Sequence, residues 1–545
     1  MSYPILKPSN TWFIPNVSTI NRGTITVINI VDSYTPTTTP TDSWDASAAQ
    51  DGSITVYIEG TKLTISGNGS GKIAANENAS YMFAEFGSVA SINGLNILDT
   101  SNTIDMSYMF FKSYGLLSID VSSFNVSKVK TMEYMFGANT NNNGMKVTEI
   151  HFGSNFDMSS CENTAYMFRN CQKLTNVDVT NINPLASKNF FAMFYRCYGL
   201  TTIDLSSWDT SACENMSYMF CWDSGLKSLN LTNWDTGKVK NFESMFQECG
   251  ALSNLSVANF NTSSCEDFGF MFYGCTSLKT IDFENWDVRN AQSFDHFMAH
   301  SQMQKYDVSK WNVTSACENL NAIFHSTRET YIDVTGWDTS NVITVNQLCD
   351  GMYYLQKIDG LETWNTSNCV CFAEMFHACG SLKEINLSSF DTRKANRGTP
   401  ISGNGDVSYG LQDMFSGCSS LKKLILSENF TRFGNGTIGS GYYAYFPTPT
   451  TNAHKDADGM WYTTDGNGYA PADVPDLTAG IYYASPTLAI WDRDSKKYIH
   501  LAAMRQYHNM LNAETDTKID ILKEEIGNIE EISSEDIQAL FSVSV

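Results

Sequence analysis

The chain is poor in positive charge: 35 Lys and Arg stand against 58 Asp and Glu, a net −23 over 545 residues. A nucleic-acid partner is excluded on that ground, because phosphate binding needs clustered Lys and Arg. A direct hold on an anionic membrane is excluded likewise. Charge of either sign is scarce, at 17%, so the surface must be built from neutral polar groups. No segment has the apolar length of a membrane helix, which excludes insertion by that route. The start, MSYPILKPSN, lacks the basic stretch and apolar run of a secretory signal. Synthesis in a cytosol is the expectation, with any exterior location reached another way. Hydrophobic residues at 42% are too many for disorder.

Chemical motifs are equally missing. The fourteen cysteines contain no paired C-x-x-C with metal spacing, since Cys369 and Cys371 form C-x-C, so no zinc or other metal is expected. H-E-x-x-H and G-x-S-x-G do not occur. The segment GNGSGK at 67–72 fails as a phosphate loop, because Ser66 and Ile73 stand where Gly and Ser or Thr are required. His151, His296, His300, His325 and His377 are scattered and read as structural. No catalytic residues and no cofactor are expected, and the chain reads as a non-enzyme.

What the sequence does have is a repeat. The phenylalanine of a recurring Met-Phe falls at Phe83, Phe110, Phe136, Phe168, Phe194, Phe220, Phe246, Phe272, Phe297, Phe324, Phe376 and Phe415, with Cys349 in the same register. That makes thirteen turns of about 26 residues, with insertions near Asn139–Gly144 and Arg393–Gln412. The unit Leu200 to Phe220, LTTIDLSSWDTSACENMSYMF, carries Leu200, Ile203 and Leu205 at L-x-x-L-x-L spacing. Ile203 and Leu205 point inward on a short strand and Asp204 outward. Cys213, Met216, Met219 and Phe220 share one face of a short helix. The expected fold is therefore an α/β solenoid, a leucine-rich-repeat-like right-handed coil with one short parallel strand and one short helix per turn. Because no single turn can bury its apolar face, neighbours must stack.

Columns follow from the register. An aromatic spine is expected from Phe124, Trp208, Trp234, Phe260, Trp286, Trp311, Trp337, Trp364 and Phe390. Cys161, Cys213, Cys265, Cys317 and Cys369 recur every 52 residues, too far apart to bridge. Cys171, Cys197, Cys249, Cys275, Cys379 and Cys418 form another column; adjacent members lie close enough to bridge in principle, but a cytosolic origin favours free thiols. The outward strand position is Asp120, Asp178, Asp204, Asn230, Ser256, Asp282, Asp307, Asp333, Asp359 and Asn386. Either each Asp fixes its own turn through neighbouring Ser, Thr or backbone groups, or the column is a face for a cation, sugar or protein. Asp178, Asp204, Asp282, Asp307 and Asp333 are the candidate ligand-binding residues. A uniform ladder offers no singled-out pair for glycoside hydrolysis.

Four segments are expected: a β-rich cap at 1–80, the repeats at 81–427, a Tyr- and Gly-rich β cap at 428–487 and a helical segment at 488–545. In the last, Ile519, Leu522, Ile526 and Ile529 have coiled-coil-like spacing. They serve either packing on the chain's own body or assembly with identical chains or a partner.

The units with L-x-x-I-D-L-S-S-W-D-T-S followed by N-M-S-Y-M-F resemble the BspA-like leucine-rich repeats of bacterial surface proteins, over about residues 81 to 427. The resemblance implies adhesion to host matrix or other cells, and brings no catalytic residues. Similar repeats occur in virion proteins of gut bacteriophages, which are made in the host cytosol and become external on lysis. The expected function is thus a phage virion decoration or fibre protein presenting its surface to host-cell, glycan or mucosal ligands. The alternative is a bacterial cell-surface adhesin.

Overall fold

The computed structural model describes residues 3–139, 144–180, 182–395, 410–432 and 444–489. It overturns the expected α/β leucine-rich-repeat solenoid. The described residues form six small β-sheets, four short 3-10 turns and a single α-helical turn at 486–489. Among the described residues the repeats contain no α-helix, and their parallel strands are divided among separate sheets, with no continuous sheet along one side. The expected helical tail, with Ile519, Leu522, Ile526 and Ile529, lies outside the described residues.

The reason the helix fails is visible in the backbone of 213–223. Met219, Cys221 and Asp223 donate N–H to Met216, Tyr218 and Phe220 three residues back, as in a chain of turns. Between them, Met216, Tyr218, Phe220 and Trp222 donate outward to Asn241, Glu243, Met245 and Gln247 of the next repeat, at 2.7–3.1 Å. Every other N–H that a helix would use internally therefore goes to the neighbouring repeat. Reaching that geometry puts two residues per repeat, four apart, in the left-handed region: Tyr108 and Lys112, Tyr166 and Asn170, Tyr218 and Trp222, His296 and His300. Each such residue costs roughly 1–2 kcal/mol, a strain offset by the hydrogen bonds between repeats.

The strands are two to four residues long in the repeats. Ser118–Asp120, Glu149–His151 and Asn176–Val177 pair in parallel. So do Thr202–Asp204 with Ser228–Asn230 and Tyr331–Asp333 with Lys357–Asp359. A second row of single parallel bridges runs from Asn78 through Asp105, Thr131, Asn163, Asn189, Asn215, Asn241, Asp267, Ser293, Asn319 and Thr344 to Cys371. Behind both rows lies one buried apolar cluster reaching from Leu6 to Ala484. Two aromatic rows run through it. Phe83, Phe110, Phe136, Phe168, Phe194, Phe220, Phe246 and Phe272 stack in sequence at 5.1–5.8 Å. Trp286, Trp311, Trp337, Trp364 and Phe390 stack at 6.1–6.3 Å with rings within 13° of parallel. All fourteen cysteines are buried and free.

At the N-terminal end a five-stranded sheet is ordered Asp42–Asp45, Thr55–Glu59, Lys62–Ser66, Val27–Val31, Ser91–Asn93. Its first three strands are antiparallel; the last two pairings are parallel, so the sheet passes directly into the first repeat. Gly94, just beyond this junction, has φ +83°, and a Cβ there would collide with the Ile30 carbonyl. Gly94→Ala should therefore cost more than the ~1 kcal/mol of left-handed strain alone, read as a lowered melting temperature of the full chain. At the other end the parallel pair Glu384–Leu387 and Lys423–Leu426 is closed by antiparallel Gly480–Tyr483, with Trp461–Tyr462 and Gly468–Tyr469 at the edge.

Candidate functional site

Each of the five candidate aspartates is tied to its own turn. Asp178 accepts the Thr180 N–H at 3.0 Å and the Thr180 hydroxyl at 2.7 Å. Asp204 accepts Ser206 N–H at 3.0 Å, Asp282 that of Glu284 at 2.9 Å, Asp307 that of Ser309 at 2.8 Å and Asp333 that of Thr335 at 2.9 Å. This is the Asx turn, a carboxylate closing the chain two residues on. The hydroxyl two residues on, then the backbone N–H, hold Asp120, Asp178, Asp204 and Asp307 below the usual carboxylate range. Asp178, Asp204, Asp282 and Asp307 are exposed and Asp333 is half-buried.

The structure does not join the column into one row of carboxylates. The ladder partner of Asp120 is His151 and that of Asp204 is Asn230. Asp333 does face another carboxylate, Asp359. There the repulsion is relieved by Lys357, whose ammonium is 2.8 Å from Asp359 Oδ2, and by the Tyr331 hydroxyl, which donates to the same oxygen at 2.9 Å.

Two of the five candidates, Asp307 and Asp333, come together at a cleft of about 410 Å³ that also takes in Lys305, Glu329 and Tyr331. The ladder is broken here. Thr280 bridges to Lys305, and Tyr331–Asp333 pairs forward with Lys357–Asp359, but no strand pairing joins the two sets. Glu329 stands in the gap, its carboxylate accepting Thr330 N–H at 2.8 Å and Tyr306 N–H at 3.4 Å. Glu329 and Tyr331 were not singled out by sequence. The spacing of the phenylalanines gave no signal, because the 25 and 27 residues around Phe297 recur around Cys349.

Three of the five histidines come together. His300 and His325 rings lie 4.4 Å apart. His325 Nε2 is 3.3 Å from Asp350 Oδ2 and His377 Nδ1 is 2.7 Å from Asp350 Oδ1. Burial takes His325 down to about 3 and raises Asp350, so His325 is neutral at pH 7. His300 and His325 are 25 residues apart and His325 and His377 are 52, one and two repeats, which is why linear reading separated them. Among the described residues, no group of three or more His, Cys, Asp or Glu is arranged to hold a metal ion, and no helix is long and apolar enough to cross a membrane.

Four overlapping stretches, 77–198, 140–230, 222–331 and 318–401, match the family described as Mycoplasma protein of unknown function, DUF285. Together they span more than half of the chain. The chain belongs to this family. The DUF285 matches include both strand segments of the cleft and the whole histidine cluster. No curated protein matches the chain.

Proposed function

We propose that the chain is a non-enzymatic binding protein, a phage virion decoration or fibre component that offers its repeats to host-cell, glycan or mucosal ligands. The observation that carries this reading is the repetition of the outer chemistry. Asp178, Asp204, Asp282, Asp307 and Asp333 are each fixed by the N–H two residues on, so the same pre-set acceptor recurs along the surface. Preset groups lower the ordering cost of binding. Acid–base catalysis on this face would instead need one of its carboxyls raised toward neutrality, and Asp178, Asp204 and Asp307 are held low. Fourteen buried thiols left unpaired suit synthesis in a reducing cytosol. The family's description names a bacterium, which favours a bacterial cell-surface adhesin as the second reading.

Mass spectrometry of purified virions, with binding of the purified full chain to host cells, tests the reading. Peptides of this chain in virions together with cell binding support it; cell binding without virion peptides selects the bacterial adhesin; neither result overturns both. Attachment is assigned to 488–545, so truncation after Pro486 should leave the melting temperature within a few degrees while light scattering and virion incorporation report loss of assembly. Unchanged assembly would move the attachment to 1–80.

A further inference from the structure

We propose that the cleft between the segments 304–309 and 329–333 binds a neutral saccharide unit. This rests on the binding-protein reading above and names the ligand class of the same surface.

The cleft is built. Glu329 replaces ladder hydrogen bonds with carboxylate contacts to Thr330 and Tyr306 and so holds two strand segments apart. On one wall Tyr331 is 45% exposed. Its position is fixed from two sides: the hydroxyl donates to Asp359, and the Lys357 ammonium lies 5.7 Å from the ring centroid. Asp307 and Asp333 are each held through Oδ1 by a backbone N–H, which fixes the direction of each carboxylate. Gln304 and Lys305 line the same space and add donors.

The mixture selects the ligand. A pyranose presents an apolar C–H face that packs on an aromatic ring and hydroxyls that both donate and accept. The cleft offers one ring, three carboxylates as acceptors, and amide and ammonium donors. An anionic ligand would meet Asp307, Glu329 and Asp333. A Lys or Arg side chain of a protein would need acceptors alone and would meet the Lys305 ammonium. A volume of about 410 Å³ lies within the range of small-ligand sites.

The test uses the full chain against immobilised neutral oligosaccharides ending in glucose, galactose, mannose or N-acetylhexosamine, with oligolysine and sialylated glycans as charged comparisons. The expected result is binding to at least one neutral glycan, weakened tenfold or more by Tyr331→Ala and by Asp307→Asn, and unchanged by Asp157→Asn, an exposed turn aspartate outside the outward column. Asp307→Asn keeps the Oδ1 turn contact, so it remains decisive if Tyr331→Ala lowers the melting temperature. Neutral-glycan binding that survives both cleft variants, or binding confined to oligolysine or sialylated glycans, overturns the proposal. If no glycan binds while the same preparation binds host cells, the saccharide is wrong and the binding function stands; if neither binds, both fall.

Discussion

Trp286→Ala should destabilise the chain by about 3–5 kcal/mol, the range for deleting a buried aromatic. Trp286 is 4% exposed. Its ring stacks on Phe268 at 5.3 Å and on Trp311 at 6.2 Å, the latter within 4° of parallel, so truncation opens a void at the head of the tryptophan row. Its Nε1–H also donates to the Val257 carbonyl of the preceding repeat at 3.2 Å, and that contact is lost too. The Phe substitution separates the two contributions. Trp286→Phe keeps a ring in a column where Phe260 and Phe390 already occur and loses mainly the hydrogen bond, about 1 kcal/mol. Trp311, Trp337 and Trp364 bury an indole N–H that has no partner. Trp311→Phe should therefore cost less than Trp286→Phe, because it removes an unsatisfied donor with the indole. Denaturant midpoints of the three variants measure this order; a Trp286→Ala midpoint equal to the parent's would mean that the ring row carries little of the stability.

The register of the repeat was legible because side-chain burial repeats with it. Cys213, Met216, Met219 and Phe220 are all fully buried. Their type of fold was not legible, because a helix and a run of three-residue turns bury the same positions. What separates them is the destination of the backbone N–H groups, within the segment or across to Asn241, Glu243, Met245 and Gln247. Side-chain spacing carries no information about that. One sequence signal did exist: Gly274, Gly351 and Gly417, all at positive φ, occupy the place of Trp222 and His300. Glycine recurring at one position inside an apolar segment points to left-handed backbone more readily than to helix interior.

The candidate site shows the same division. A column of aspartates followed two residues later by Ser or Thr, as at Asp178–Thr180 and Asp204–Ser206, spells the Asx turn in sequence, and both bonds are present. Singling out Asp307 and Asp333 from that column required knowing where the ladder breaks. That depends on Glu329 competing for the Tyr306 and Thr330 N–H groups, a three-dimensional event that the repeat pattern hides by averaging over the other turns.

Asp223→Cys should make the chain more stable at pH 7, and the gain should shrink as the pH falls toward 4. Asp223 sits where other repeats place a small donor. Cys197 donates to Phe168 O at 3.2 Å, Cys249 to Phe220 O at 3.0 Å, Cys275 to Phe246 O at 3.1 Å and Ser113 to Phe83 O at 2.6 Å, each reaching the preceding repeat. Asp223 is wholly buried. Its Oδ1 accepts the Cys197 N–H at 2.6 Å, while Oδ2 has no partner. Burial pushes its pKa well above the ordinary value, so the folded chain holds it protonated when the unfolded chain releases the proton near pH 4. A group raised on folding contributes its full stability below the unfolded pKa and loses it as pH rises toward the folded pKa. Neutral pH is therefore where Asp223 harms most. Cysteine restores the column's donor, and the Cys197 N–H keeps the Phe194 carbonyl as acceptor. Removing a buried polar atom without a partner is worth about 1–3 kcal/mol. Melting under reducing conditions from pH 4 to 8 measures it, with Asp223→Asn as a variant of similar shape that cannot titrate. A parent and an Asp223→Cys variant with parallel pH profiles would show that the carboxyl is ionised in the folded chain and that something within the chain compensates its charge.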